Sequence, residues 1–163
     1  MDNIDIKILE SLHKNARMNA SEIADKVPLS TSAVIERIKK MEASGTIIGY
    51  TAILAPEKLN KDIIALISVA IDNPKYNNVF EEAVIKNNHI TECFYIAGSF
   101  DYLLKVITDN TKSLEGVLHY IKSITGVSKT VTSIVLNICK NEYSVPVTAK
   151  KIKTTVSTIK AEF

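Results

Sequence analysis

The sequence predicts an α+β protein, an N-terminal winged helix-turn-helix followed by a ferredoxin-like βαββαβ domain. Three observations lead there. Apolar residues recur at helical spacing in the first part of the chain, and near Tyr50 the pattern changes to short β-branched runs alternating with helical ones. Pro28 and Gly45 punctuate the helical part where a turn and a helix end should fall. The apolar fraction of 46% in 163 residues is enough for one ordinary domain or two small ones with real cores.

The elements follow in order. Ile4, Ile8, Leu9 and Leu12 form an apolar stripe preceded by Asp2 and Asn3 as candidate N-caps, which predicts a first helix. Asn19, followed three residues later by Glu22, predicts a capped second helix with Ile23, Ala24 and Val27 inside, stopped by Pro28. Ser30 caps a third, whose Val34, Ile38 and Met41 face inward and which ends at Gly45. Thr46–Tyr50 reads as a β-branched strand, the wing, and Thr51–Leu59 as a connection containing Pro56. Beyond it the predicted strands are Ile63–Ile71, Ile90–Ala97, Asp101–Thr108 and Val127–Ile138, with helices over Tyr76–Lys86 and Leu114–Ile124. The expected domains are therefore 1–50, a linker 51–62, 63–140, and a tail 141–163 to which the sequence assigns no structure.

Both helices of such a unit pack on one face of the sheet, so the other face should be polar in a solitary subunit. Here Tyr102, Leu104 and Val106 point one way while Leu103 and Ile107 point the other, and Ile63–Ile71 is almost wholly apolar. Two apolar faces predict at least a dimer, with cover by the N-terminal domain or the tail as the alternative.

On the third helix, Ser32, Glu36, Lys39 and Lys40 lie opposite the apolar stripe, flanked by Ala33 and Arg37. A helix that reads a DNA duplex needs small residues at its start and longer polar or cationic ones beyond. Ser30, Thr31, Ser32 and Ala33 meet the first requirement, and Arg37, Lys39 and Lys40 the second. Arg37 is the main candidate for a guanine edge or a phosphate beside the groove, while Ser30 and Thr31, with free helix-start amides, suit phosphate. Glu36 either accepts from a cytosine or pairs with Lys40. A net charge of +2 provides no bulk attraction to nucleic acid, so any attraction must be local.

Other classes fit poorly. No apolar run reaches the roughly 20 residues of a membrane span and the first residues lack a signal-peptide pattern, which predicts a cytoplasmic protein with no membrane partner. Cys93 and Cys139 are far apart and read as small buried hydrophobes. His13, His89 and His119 are scattered, no metal-ligand spacing or phosphate loop occurs, and Glu81-Glu82 reads as a solvated helix face, so neither an enzyme nor a cofactor is expected.

The residues also resemble a family. Asp5-x-x-Ile8-Leu9-x-x-Leu12, Glu22-Ile23-Ala24, Leu29-Ser30-x-Ser32-Ala33-Val34-x-x-Arg37-Ile38 and Gly45-x-Ile47-x-Gly49-Tyr50 are similar to the Lrp/AsnC, or feast/famine, transcriptional regulators. Gly98-x-x-Asp101-Tyr102-Leu103-Leu104 and Gly126-Val127-x-x-Thr130-x-Thr132 extend the resemblance to about Lys140. Pro28 stands where a glycine commonly precedes the Leu-Ser start of the recognition helix. The resemblance implies a RAM-type regulatory domain, double-stranded DNA as partner, dimers stacking into octamers, and an amino-acid effector. It places that effector at Gly98, Ser99, Phe100, Asp101 and Tyr102, and at Thr130, Thr132 and Ser133. A glycine-containing hairpin offers free amides to a carboxylate, and Asp101 suits an α-ammonium; alternatively Asp101 bonds only its own loop.

Overall fold

A computed structural model describes residues 1–147, which divide into two compact units, one containing Met1–Ala52 and the other Ile53–Asn141. Most of the tail, 148–163, lies outside the described residues.

The N-terminal unit has three helices, α1 (Asn3–Lys14), α2 (Ala20–Ala24) and α3 (Thr31–Ala43). Each begins at a side chain that takes up helix-start amides. Asp2 accepts from the Ile4 and Asp5 amides while the Asp5 carboxylate accepts from the Asp2 amide. Asn19 and Glu22 form the same reciprocal pair on α2, and Ser30 accepts from the Ala33 amide on α3. Ile8, Leu12, Ile23, Val27, Val34 and Met41 form the core between the helices. Gly45 closes α3 at φ +70°, the left-handed conformation that glycine adopts without strain.

The wing strand expected over Thr46–Tyr50 is absent. The Thr46 and Ile47 amides both donate to the Met41 carbonyl, completing the helix end, so these donors are unavailable to a ladder. Among the described residues no strand lies beside the segment, and Ile48 is 97% exposed.

The C-terminal unit is a four-stranded antiparallel sheet in the order β2–β3–β1–β4, made of β1 (Ile63–Ile71), β2 (Ile90–Tyr95), β3 (Tyr102–Thr108) and β4 (Val127–Ile134). Helices α4 (Asn77–Ile85) and α5 (Thr111–Ser123) cover one face. Ala65, Ile67 and Val69 of β1 and Tyr102, Leu104 and Val106 of β3 are buried there with Phe80, Val117 and Ile121. Gly126 turns the chain into β4 at φ +93°, with the Tyr76 side chain so close that an added Cβ would lie 2.4 Å from it.

Three strands differ from their expected lengths. β4 stops at Ile134, which pairs with Ala65 near the start of β1; the Val135 amide reaches the Ile64 carbonyl, and among the described residues no ladder partner continues beyond. β2 stops at Tyr95 and β3 starts at Tyr102, because Asp101 already belongs to the turn. Both cysteines, expected to be buried, are exposed. Cys93 lies on the edge strand β2 and Cys139 beyond the end of β4.

Candidate nucleic-acid interface and ligand-binding turn

Helix α3 presents an inner and an outer side. Val34 and Met41 are buried, whereas Ser30, Thr31, Ser32, Glu36, Lys39 and Lys40 are exposed and Ala33 is half-buried. Ser30 holds the helix start and its hydroxyl also meets that of Ser32 at 3.0 Å. Among the described residues, Glu36, Lys39 and Lys40 form no ion pair, so the alternative Glu36–Lys40 pairing is not made. The outer side thus offers two cations, a carboxylate and a small polar start.

Arg37, expected at the groove, is paired within the unit. Its Nη1 donates to Asp2 Oδ2 and to Asp5 Oδ1, each at 2.7 Å. The other oxygens of those carboxylates close the α1 capping box, so one guanidinium ties the start of α1 to the middle of α3. The amide of Asp5 and then the guanidinium hold the Asp2 carboxyl down to about 2. For Asp5, partial burial pushes upward, but the Asp2 amide and Arg37 together outweigh it and the carboxyl is lowered. The carboxylates in turn raise Arg37. Arg37 is therefore a brace that fixes α3 against α1 and is already paired on the α1 side of α3.

Ile35, 41% exposed, flanks Lys39 on the outer side. Its exposure is hidden in the sequence because an isoleucine in a helix reads as core; only its offset from the Val34–Ile38–Met41 stripe signals otherwise.

In the C-terminal unit, Gly98 and Ser99 are exposed at the β2–β3 turn, and Phe100 is half-buried under the ammonium of Lys129, 5.5 Å from its ring centre. Lys129 had no signal of its own in the sequence. The Asp101 backbone carbonyl accepts from the Ile96 amide within the turn, but its carboxylate accepts from the Ile71 amide at 2.7 Å and its amide donates to the Val69 carbonyl, stitching the turn to β1. Tyr102, also expected to contact a ligand, is buried in the core with its hydroxyl donating to Glu81 at 2.7 Å. Burial and that bond push the phenol above its usual range. Thr130 and Thr132 are half-buried on the helix-covered face, opposite Val69 and Ile67, while Ser133 pairs with Leu66 on the open face. The expected cluster is thus split between the two sides of the sheet. Lys122, Val127, Ser128, Lys129 and Thr130 line an open depression.

The open face carries Ile64 and Leu66 from β1, Leu103 and Ile107 from β3, Phe94 from β2 and Val131 from β4. Phe94 and Val131 are 49% and 45% exposed. Among the described residues no group of His, Cys, Asp or Glu is arranged to hold a metal, and no helix is long and apolar enough to cross a membrane.

Comparison with known proteins matches both units. Residues 1–42 match the AsnC-type helix-turn-helix domain and residues 63–145 the Lrp/AsnC ligand binding domain. The chain is 35% identical over 147 residues to the HTH-type transcriptional regulator FL11 of Pyrococcus furiosus, covering 90% of this chain and 97% of that one. It is 37% identical over 143 residues to the proline dehydrogenase transcriptional activator of Rhizobium radiobacter, covering 86% and 92%. A transcriptional regulator of Neisseria meningitidis, solved as its L-Met complex, superposes with a TM-score of 0.85 at 33% identity over 90% of this chain and 96% of that one. With both units matched in order and the relatives covered almost end to end, the chain belongs to the Lrp/AsnC family of DNA-binding transcriptional regulators.

Proposed function

We propose that this regulator reads duplex DNA with the outer side of α3 and adjusts its occupancy to an amino acid held by the C-terminal unit, acting as a dimer or a stack of dimers. The observation that carries the reading is α3 itself: a capped helix, braced through Arg37, whose solvent side bears Ser32, Glu36, Lys39 and Lys40. Lys39 and Lys40 take phosphates, Ser30 and Thr31 the phosphate nearest the helix start, and Ser32, Ala33, Ile35 and Glu36 face base edges, Ile35 suiting a thymine methyl. Arg37 contributes by positioning.

The L-Met complex of the Neisseria relative supports an amino-acid effector. Because Asp101 and Tyr102 are committed to the fold, the ligand's carboxylate falls to the exposed turn at Gly98 and Ser99 and to Lys129, beside Phe100. Self-association is supported by the open apolar sheet face, and by the exposed Ile48, Ile53 and Leu54. A ligand biasing one assembly state then shifts DNA occupancy.

The test has two arms. Selection from a random duplex pool should enrich a motif with two half-sites, spaced about one helical turn apart. A thermal-melt screen of amino acids, methionine first, should find one that stabilises the fold by about 2.7 kcal/mol at a hundred times its dissociation constant. No enriched motif rejects the DNA arm, and no stabilising amino acid rejects the effector arm.

A further inference from the structure

The region Met1–Ala52 holds seven cations, Lys7, Lys14, Arg17, Lys26, Arg37, Lys39 and Lys40, against seven carboxylates, Asp2, Asp5, Glu10, Glu22, Asp25, Glu36 and Glu42. Its formal charge with neutral histidines is zero, so any attraction for a polyanion comes from the way the charges are sorted. Arg37 is neutralised by Asp2 and Asp5. Lys39 and Lys40 are on the outer side of α3. Three of the remaining cations, Lys7, Lys14 and Lys26, line one depression with Glu10, Ser11 and Met18.

Its position is fixed by the α1 periodicity. Lys7, Ser11 and Lys14 recur at intervals of four and three residues along one flank of the helix. Asp2, Asp5 and Leu9 run along the opposite flank, the one that meets Arg37 of α3. The lysine flank therefore faces away from α3, toward the turn carrying Met18 and toward Lys26, whose ammonium touches the Met18 sulfur at 3.2 Å. Among the described residues none of the three lysines has a carboxylate within ion-pair distance, even with Glu10 on the same surface.

We infer that this depression is a second, sequence-independent contact for the nucleic-acid backbone, on the side of the helix-turn-helix away from the reading helix. The occupant is a phosphate run of duplex DNA. A protein partner would need an apolar or aromatic anchor at the centre of its contact, and here the one apolar lining side chain, Met18, is half-buried and has the Lys26 ammonium against its sulfur. A sugar-phosphate backbone needs only cations at phosphate spacing, which flexible lysines supply without any shape requirement. With a duplex against α3 and another against this flank, one helix-turn-helix unit can hold two DNA segments together.

The inference rests on DNA binding by α3, and the experiment separates the two. The full-length chain with Lys7→Gln, Lys14→Gln and Lys26→Gln together is compared with the native chain and with the triple Lys→Arg variant. One assay measures affinity for a short duplex bearing the selected motif; the other measures capture of a labelled random-sequence duplex by protein already saturated with that short duplex. Expected are an unchanged motif affinity, capture reduced about tenfold or more, a salt dependence of capture flattened by about 2 to 3 in the log–log slope, and recovery with arginine. Undiminished capture overturns the second contact. An equal loss in both assays also overturns it, by assigning the lysines to the α3 contact, and a native motif that never binds instead removes the α3 reading.

Discussion

The two units use charge and apolar surface in opposite ways. In the N-terminal unit the apolar residues are largely consumed by the three-helix core, and the exposed side of α3 is small, polar and cationic. In the C-terminal unit the middle of one sheet face is packed under α4 and α5 while the other face offers Leu66, Phe94, Leu103, Ile107 and Val131 to its surroundings. The first surface suits a hydrated polyanion, whereas the second suits another apolar surface. The proposed DNA contact and the proposed self-association therefore rest on different forces and on different residues, so that each can be changed without the other.

The largest effect should come from charging the open face. Leu66→Asp with Leu103→Asp should weaken self-association by about 1,000-fold, equivalent to about 4 kcal/mol, because each unpaired carboxylate would have to be desolvated. Analytical ultracentrifugation should then find monomers that still melt cooperatively, and an unaltered sedimentation profile would move the interface elsewhere. Next, Gly126→Ala should destabilise the C-terminal unit by about 1–3 kcal/mol, since it combines a positive φ with a clash against Tyr76. Far-UV melting should shift while the N-terminal unit, followed by exchange of its amide protons, holds; a common shift of both would show that the units are not independent.

Smaller changes sharpen the contrast inside α3. Arg37→Gln should lower the melting temperature of the N-terminal unit by a few degrees and leave the salt dependence of DNA binding nearly unchanged. Lys39→Gln with Lys40→Gln should do the reverse, flattening that slope by about 2. If Arg37→Gln flattens the slope as a lysine change does, Arg37 contacts phosphate as well as the α1 carboxylates. The smallest effect is with acid. Asp2 and Asp5 titrate lower in the fold than their usual 3.8, so the stability they provide is present above that value and is lost as the pH falls below it, for Asp2 toward about 2. An acid titration of the N-terminal unit should show this loss, and Asp2→Asn with Asp5→Asn should flatten it.

What could be read from the sequence was what short-range chemistry controls. Asp2, Asn19 and Ser30 cap the helices they were expected to cap, and Gly45 ends α3, because a cap and its amides lie within three residues of each other. The order of strands and helices in the C-terminal unit was equally legible from the change of period. Two contacts that the sequence does not reveal are long-range. Arg37 meets Asp2 and Asp5 across 35 and 32 positions, and Asp101 meets Ile71 across 30, so nothing near either residue marked it as occupied. The wing failed for the converse reason: Thr46 and Ile47 have strand-forming side chains, but their amides are used by Met41. Cys93 looked like core from composition and is exposed because β2 is the sheet's edge.

On the proposed reading, the solvent side of α3 determines which duplex is bound. Selection from a random duplex pool, carried out in parallel with the native chain and with Glu36→Ala, tests it most directly. Two related motifs are expected, differing at one or two positions in each half-site and agreeing elsewhere. Identical motifs from the two proteins would contradict the assignment of Glu36 to the base-reading surface, and the absence of any motif from the native chain would contradict the claim as a whole.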